Sequence, residues 1–265
     1  MPAAHNKSTR EMAANYWEST QFRRWLLSKD ELARRRGCGS DEELERVVRP
    51  HLVAFAYAMG HKLRFQSRVS ATAATYVNRF YVSTRMRDAD PRHVVPASVY
   101  LAAKVEEMGQ YRPQVIIDTV HRVAVGEFAV FASSIDAAAL LESELLVLER
   151  LEFDLVVFHP YHDLDKYAAD AAVPNLVAVA GMLVNDAQRC DVALVYPPFI
   201  VALAALYLAG VHARVDVKPW FDHLNVNVAE VRACAKDMLD AYAGETELKA
   251  QLPSAWNALL HAAPS

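Results

Sequence analysis

Two alanine-rich segments that recur 107 residues apart constrain the fold of this 265-residue chain more than any other feature. Small residues on several sides of a helix allow surrounding helices to approach closely, which suits the centre of a helical bundle. The sequence therefore predicts two bundle repeats, each built around one alanine-rich helix. A shift of 107 positions aligns Pro91 with Pro198, Ala97 with Ala204, Tyr100 with Tyr207, Leu101 with Leu208, and Ala102 with Ala209.

Apolar residues recur at helical spacing along nearly the whole chain, and the alternation typical of β-strands is absent over any useful length. Glycine and proline residues mark the breaks between these periodic segments. The fold class predicted is therefore all-α. Helices are predicted over 14–35, 42–61, 66–83, 91–108, 113–124, 134–152, 160–170, 174–189, 196–213, 217–223 and 227–242. The last twenty residues, 246–265, are predicted to form a short, poorly ordered tail.

Composition excludes several classes of protein. Apolar residues make up 53% of the chain, yet no run approaches the roughly 18 residues needed to span a bilayer, so we expect no membrane contact. The first residues lack the apolar core of a signal peptide. Cys38, Cys190 and Cys234 are widely spaced and form no Cys-x-x-Cys motif, which predicts a reducing compartment and no zinc ribbon.

No pattern of residues indicates an active site or a cofactor. Glycine-rich phosphate loops are absent, and the chain has only eight glycines. His159 and His162 are three residues apart, but Pro160 lies between them and no third ligand follows at a useful spacing. Glu106 and Glu107 are adjacent and so do not share a helix face, which makes them a poor acid–base pair. We therefore expect no enzyme activity, no metal and no cofactor.

The charged end of the first alanine-rich helix is not repeated. The shift that aligns the two apolar segments places Lys104 on Val211, so the framework is duplicated and the cation is not. Glu106 and Glu107 then fall near the C-terminus of the helix, where the helix dipole disfavours anions by roughly 0.3–1 kcal/mol each. Charges placed against this preference indicate contacts made outside the helix.

Six blocks of sequence, in order, resemble the cyclin box, and within that family the cyclin C group. The resemblance extends from Ala14 to about Tyr242. It implies two five-helix cyclin-fold repeats, at 41–157 and 158–245, behind an N-terminal extension and helix at 1–40. The blocks are Asn15–Ser19, Ala71–Tyr81, Leu101–Glu107, Phe158–Tyr161, Val184–Asp186 and Leu194–Phe199.

The resemblance implies a non-catalytic subunit that binds and activates a cyclin-dependent kinase catalytic subunit. By the same resemblance, Lys104 and Glu144 contact the base of the regulatory αC helix of the kinase, and Val105, Leu148 and Phe153 pack against that helix. An alternative is that Lys104 and Glu144 form an intramolecular salt bridge that only positions helices, and both can hold together.

Members of the cyclin C group pair with the kinase of the Mediator complex, so the resemblance also implies other Mediator kinase-module subunits as partners and a nuclear location. Trp17, near a helix start, and Glu106 are the candidate residues for contact with such a scaffold. Cell-cycle cyclins carry a substrate-docking patch on their first helix. The matching residues here, 48–52, include Pro50 and His51, so we do not carry that role over.

The main alternative is a TFIIB-like cyclin-fold transcription factor that contacts nucleic acid. A basic stripe would favour it. The net charge is −4, and residues 1–40 carry a surplus of four cations, so the predicted repeats are acidic. The run of three arginines, 34–36, is also explained by a helix end, where cations suit the dipole. We therefore expect no direct contact with nucleic acid.

Overall fold

The computed structural model describes residues 15–36, 40–109, 111–132 and 135–261. Every regular element within these ranges is helical, which confirms the all-α prediction. The predicted turn at 37–39, with Cys38, lies outside the described residues. The α-helices are α1 (Lys29–Arg36), α2 (Ser40–Lys62), α3 (Ser67–Ser83), α4 (Pro91–Val105), α5 (Pro113–Val123), α6 (Ala137–Arg150), α7 (Tyr161–Asp170), α8 (Val177–Ala187), α9 (Val192–Val195), α10 (Pro198–Ala213), α11 (Lys218–Phe221) and α12 (Val228–Leu260).

Helix α4 is the centre of the first repeat, as its alanine content predicts. It packs against α2, α3, α5 and α6, and its residues from Val94 to Ala103 are all buried. Pro91 stands in its first turn, where a missing N–H costs no hydrogen bond, and the Asp90 carboxylate caps the helix by accepting from Arg92 N.

Helix α10 has the same central place in the second repeat. It packs against α7, α8 and α12, and ten of its residues from Ile200 to Gly210 are buried. Pro198 stands in its first turn, as Pro91 does in α4. The two alanine-rich segments are therefore the cores of two separate hydrophobic clusters, and the repeat read from the sequence is confirmed.

The N-terminal segment is less regular than the single helix predicted over 14–35. A 3₁₀ turn covers Tyr16–Glu18, a π-helical turn covers Gln21–Trp25, and α1 begins only at Lys29. Tertiary contacts account for this difference, because the Gln21 amide and the Trp25 indole both bond to groups in residues 154–158.

The predicted disordered tail is wrong for residues 246–260, because α12 runs unbroken from Val228 to Leu260. Pro253, which indicates a break in sequence, lies exposed inside this helix. The first half of α12 contributes Val231 and Met238 to the second repeat. Its last turns cross to the first repeat, where Trp256 and Leu259 join the core cluster.

The C-terminal end of α12 packs against the segment of α2 that contains Pro50 and His51. Pro50 does not interrupt α2, which continues from Ser40 to Lys62. The His51 ring is held at both nitrogens, since Nε2 lies 3.0 Å from the Glu127 carbonyl oxygen and Nδ1 accepts from Trp256 Nε1 at 3.1 Å. The Phe128 ring stacks on it at 5.1 Å. This face of α2 is therefore covered by the chain itself.

We predict that Trp256→Ala lowers the free energy of unfolding by about 3–5 kcal/mol, as expected for removal of a large aromatic side chain from a core. Trp256 is 4% exposed, and its loss also leaves His51 Nδ1 without a donor. Urea unfolding monitored by circular dichroism measures the change. The neighbouring exposed Asn257→Ala is the control, and equal effects of the two substitutions would contradict the packing described here.

A cluster of charges joins the two repeats near the turn between α8 and α9. Asp191 in that turn accepts hydrogen bonds from both Arg36 terminal nitrogens, at 2.8 and 2.7 Å, and from Arg49 at 2.7 Å. Desolvation raises the pKa of the Asp191 carboxyl, but the two arginines outweigh it and hold that pKa below its ordinary value. The carboxylate thus serves as the counter-ion for two largely buried cations.

The depressed pKa predicts how stability depends on pH. The contribution of Asp191 is fully present above the ordinary carboxyl pKa of about 4 and is lost as pH falls through the lower value of the folded state. We expect Asp191→Asn to be less stable at pH 7 and to lose less stability than wild type between about pH 4 and pH 2. Unfolding titrations at several pH values test this, with the exposed Asp222→Asn as control. Parallel pH profiles of wild type and Asp191→Asn would refute it.

Within the described residues, no helix combines the length and the apolar character that crossing a membrane requires.

Candidate functional site

Lys104 and Glu144 meet at the end of the first repeat's central helix. Lys104 lies in the last turn of α4 and Glu144 on the facing side of α6, with Lys104 Nζ 2.7 and 2.8 Å from the two carboxylate oxygens. The ammonium also lies 3.9 Å from the centroid of the Tyr100 ring, a cation–π contact. The side chain of Lys104 is 45% exposed and that of Glu144 is 10% exposed, so the pair reaches the surface through the lysine.

The three apolar residues predicted to contact the kinase lie at the end of α4, on α6 and in the turn that follows α6. Val105 and Leu148 are half-buried and pack against the first-repeat core, while Phe153 is 63% exposed. The structure thus brings Lys104 and Glu144 into contact, with Val105 next to Lys104 in the chain, Leu148 one turn after Glu144 on α6, and Phe153 N–H bonded to the Leu148 carbonyl oxygen. It gives them different degrees of exposure.

Sequence reasoning missed two further exposed apolar residues, Leu141 and Leu145 on α6. They are 45% and 55% exposed, and their spacing of four places them on one face of the helix. That spacing was visible in the sequence, but a leucine stripe on a helix usually indicates a face turned to the core. Val156, three residues after Phe153, is also 57% exposed. We call Leu141, Leu145, Phe153 and Val156, with the Lys104–Glu144 pair, the α4–α6 surface.

Glu106, a candidate scaffold contact, is held within the chain. Its carboxylate accepts from the Thr72 hydroxyl at 2.7 Å and pairs with Arg68 at 2.8 Å, and the side chain is only 13% exposed. The anion near the helix C-terminus therefore has its partners on α3. A role for Glu106 in scaffold binding stays a prediction.

His159, one of the two histidines considered as metal ligands, is half-buried and bonded within the chain. Its Nε2 lies 2.7 Å from the Thr72 hydroxyl, which itself donates to Glu106. Burial, together with the charges of Arg68 and Arg79, lowers the pKa of His159 to about 3, so the ring is neutral at physiological pH. Among the residues that the structure describes, no group of three His, Cys, Asp or Glu side chains is placed to hold a metal ion.

Trp17, the other candidate scaffold contact, lies at the surface as predicted. Its side chain is 53% exposed, and its ring contacts those of Tyr16, Phe22 and Phe199 at centroid distances of 5.1–5.7 Å. It lines a groove of about 1080 Å³ between the start of α3, residues 157–159, α7 and the start of α10. An exposed aromatic ring on such a groove is typical of a docking position.

The sequence and the fold together define the class of protein. The sequence profile of the cyclin N-terminal domain matches residues 20–156, which is more than half of the chain. The chain therefore belongs to the cyclin family.

Within that family the chain is similar to cyclin C proteins. It is 33% identical over 239 residues to cyclin-C1-2 of Arabidopsis thaliana, covering 87% of this chain and 91% of that protein. It is 31% identical over 236 residues to cyclin-C of Rattus norvegicus, covering 87% of this chain and 84% of that one.

Solved structures share the fold at lower sequence identity. A chain of the yeast TFIIK (Kin28/Ccl1/Tfb3) complex aligns with a TM-score of 0.69 and 20% identity, covering 84% of this chain and all of that one. A chain of the CAK complex of Chaetomium thermophilum aligns with a TM-score of 0.74 and 19% identity, covering 92% and 88%. At these identities the likeness establishes the fold alone.

Proposed function

We propose that this protein is a cyclin C-like regulatory subunit that binds and activates a cyclin-dependent kinase of the Mediator complex. It would thereby regulate transcription by RNA polymerase II in the nucleus. The observation that carries this proposal is the Lys104–Glu144 pair, surface-accessible through its lysine and bordered by the exposed apolar side chains of the α4–α6 surface. The similarity to cyclin C proteins supports the same function.

The protein would act by binding and not by chemistry of its own. A kinase is active when the glutamate of its αC helix pairs with the lysine that positions ATP, so holding αC inward shifts the kinase toward its active state. The exposed apolar side chains would exclude water from the contact with αC. The Lys104 ammonium would donate to polar groups at the base of that helix, because its half-exposed side chain leaves it open on the solvent side.

The intramolecular salt bridge and the kinase contact are compatible. Glu144 and Tyr100 hold the Lys104 ammonium in place before the kinase arrives, so less side-chain freedom is lost on binding. An ion pair that reaches solvent through its lysine contributes only about 0–1 kcal/mol to stability, so folding alone gains little from Lys104.

We predict that Lys104→Ala weakens kinase binding by roughly thirty-fold or more, because an unpaired polar partner in a desolvated interface costs about 2–5 kcal/mol. The melting temperature should change little. The measurement has two arms: capture of the kinase by the tagged chain from nuclear extract, and titration of the purified pair.

Lys249→Ala is the matched control, since Lys249 is an exposed lysine that pairs with Glu245 at 2.9 Å on α12, away from the α4–α6 surface. The control should leave kinase affinity unchanged. Failure of the wild-type chain to capture any kinase would sink the proposed function. Unchanged affinity of Lys104→Ala, with a lower melting temperature, would leave only a structural salt bridge.

We further propose that a Mediator-type scaffold subunit contacts the groove that Trp17 lines. The exposed fraction of the Trp17 ring and its place on an aromatic groove support this contact. Glu106 would contribute through Arg68, its ion-pair partner, whose side chain is 57% exposed and also lines the groove.

We predict that Trp17→Ala lowers recovery of the scaffold with the tagged chain by at least about ten-fold, as for a hot-spot aromatic residue, while recovery of the kinase is unchanged. Met182→Ala, which removes another exposed apolar side chain, is the control. Quantitative mass spectrometry of the captured proteins provides both values. Equal recovery of the scaffold with Trp17→Ala and wild type would refute the contact.

A further inference from the structure

The turn that follows α6 places two consecutive residues in the left-handed region of backbone conformation. Glu152 has φ of 51° and Phe153 has φ of 60°, values that large L-residues rarely adopt. Phe153 is also 63% exposed, so the burial of its own ring does not compensate for this conformation. Other contacts must hold the turn in place.

Two residues of the N-terminal segment supply such contacts. The Arg24 guanidinium pairs with the carboxylates on both sides of Phe153, those of Glu152 and Asp154, and its Nη1 lies 2.8 Å from Asp154 Oδ2. The Trp25 indole N–H donates to the same Asp154 oxygen at 3.0 Å. Phe153 is therefore flanked on both sides by residues that the N-terminal segment binds.

A buried arginine of α3 also binds the turn at 152–154. Arg79 is 1% exposed, and its Nη1 donates to the Asp154 carbonyl oxygen at 3.1 Å. Its guanidinium lies 5.2 Å from the centroid of the Trp25 ring, so Trp25 covers the cation while bonding to the Asp154 side chain. The backbone and the side chain of Asp154 are thus bound by different elements.

The N-terminal segment is attached at the far end of the same stretch as well. Gln21 Nε2 donates to the Phe158 carbonyl oxygen at 3.1 Å, and Gln21 Oε1 accepts from Phe158 N at 2.7 Å. Residues 152–158 are therefore held at both ends by one short piece of chain, and the exposed Phe153 lies between these attachments.

We propose that Arg24 and Trp25 are positioning residues that hold the turn at 152–154 so that Phe153 is presented to the kinase in one conformation. The inference rests on the proposed function, because Phe153 has this role only if the kinase binds the α4–α6 surface. Fixing an exposed aromatic side chain before binding strengthens the complex, since less conformational freedom is lost when it forms. Arg24 and Trp25 would thus act on the kinase without touching it.

A double-mutant cycle with the full-length chain distinguishes positioning from general stabilisation. The probe is the purified kinase that the tagged wild-type chain captures. We expect Arg24→Gln to weaken kinase binding by about five-fold and to cause no further loss in a chain that already carries Phe153→Ala. Trp25→Phe, which removes the indole N–H and keeps an aromatic ring over Arg79, should behave in the same way.

Arg23→Gln is the matched control, because Arg23 is the exposed neighbour of Arg24 and the change in charge is identical. It should alter affinity by less than about two-fold. Titrations are run well below the melting temperature of each variant, which is recorded in parallel.

The inference is overturned if Arg24→Gln weakens binding equally in the presence and absence of Phe153, or if Arg23→Gln has the same effect. It is also overturned if Phe153→Ala alone leaves affinity unchanged, and the predicted contact at Phe153 then fails with it. The proposed function itself fails only if the wild-type chain captures no kinase, so the two failures are separate results.

Discussion

The close approach of helices around α4 and α10 is the constraint on which the rest of the structure depends. Alanine side chains at these centres leave little between one backbone and the next, so the surrounding helices have few ways to pack. Because both centres start at a proline, the two repeats begin their central helices in the same way. The packing around α4 also fixes the position of Lys104, which lies in the last turn of that helix.

The sequence predicts the internal helices well and the two terminal segments poorly. Helical periodicity and proline breaks are local signals, so α3 to α8 and α10 begin and end close to their expected positions, whereas the short α9 was not predicted. The N-terminal segment departs from a regular helix because Gln21 and Trp25 bond to residues more than 120 positions away. The helix through 246–260 was missed because Pro253 indicates a break, whereas the burial of Trp256 against a distant helix keeps α12 intact.

In the candidate site, the family resemblance predicts which residues take part, whereas only the structure shows their exposure and backbone conformation. The resemblance to cyclins predicts Lys104 and Glu144 as kinase contacts, and it is also compatible with a salt bridge between them. The structure shows that salt bridge, with a distance of 2.7 Å from Lys104 Nζ to a Glu144 carboxylate oxygen. The exposure of Leu141 and Leu145 could not be read from their spacing, since a stripe turned to a partner and a stripe turned to the core have the same period. The positive φ of Glu152 and Phe153 has no signature in either residue type.

Helix α12 belongs to both hydrophobic clusters, because it contributes Trp256 to the cluster of the first repeat and Met238 to the cluster of the second repeat. Two repeats joined only by a linker could melt one at a time, as weakly coupled units. A shared helix makes loss of one cluster expose apolar surface that belongs to the other, which raises the cooperativity of the whole transition. Truncation of the chain within α12 would therefore lower the stability of both repeats and make both of them more sensitive to proteolysis.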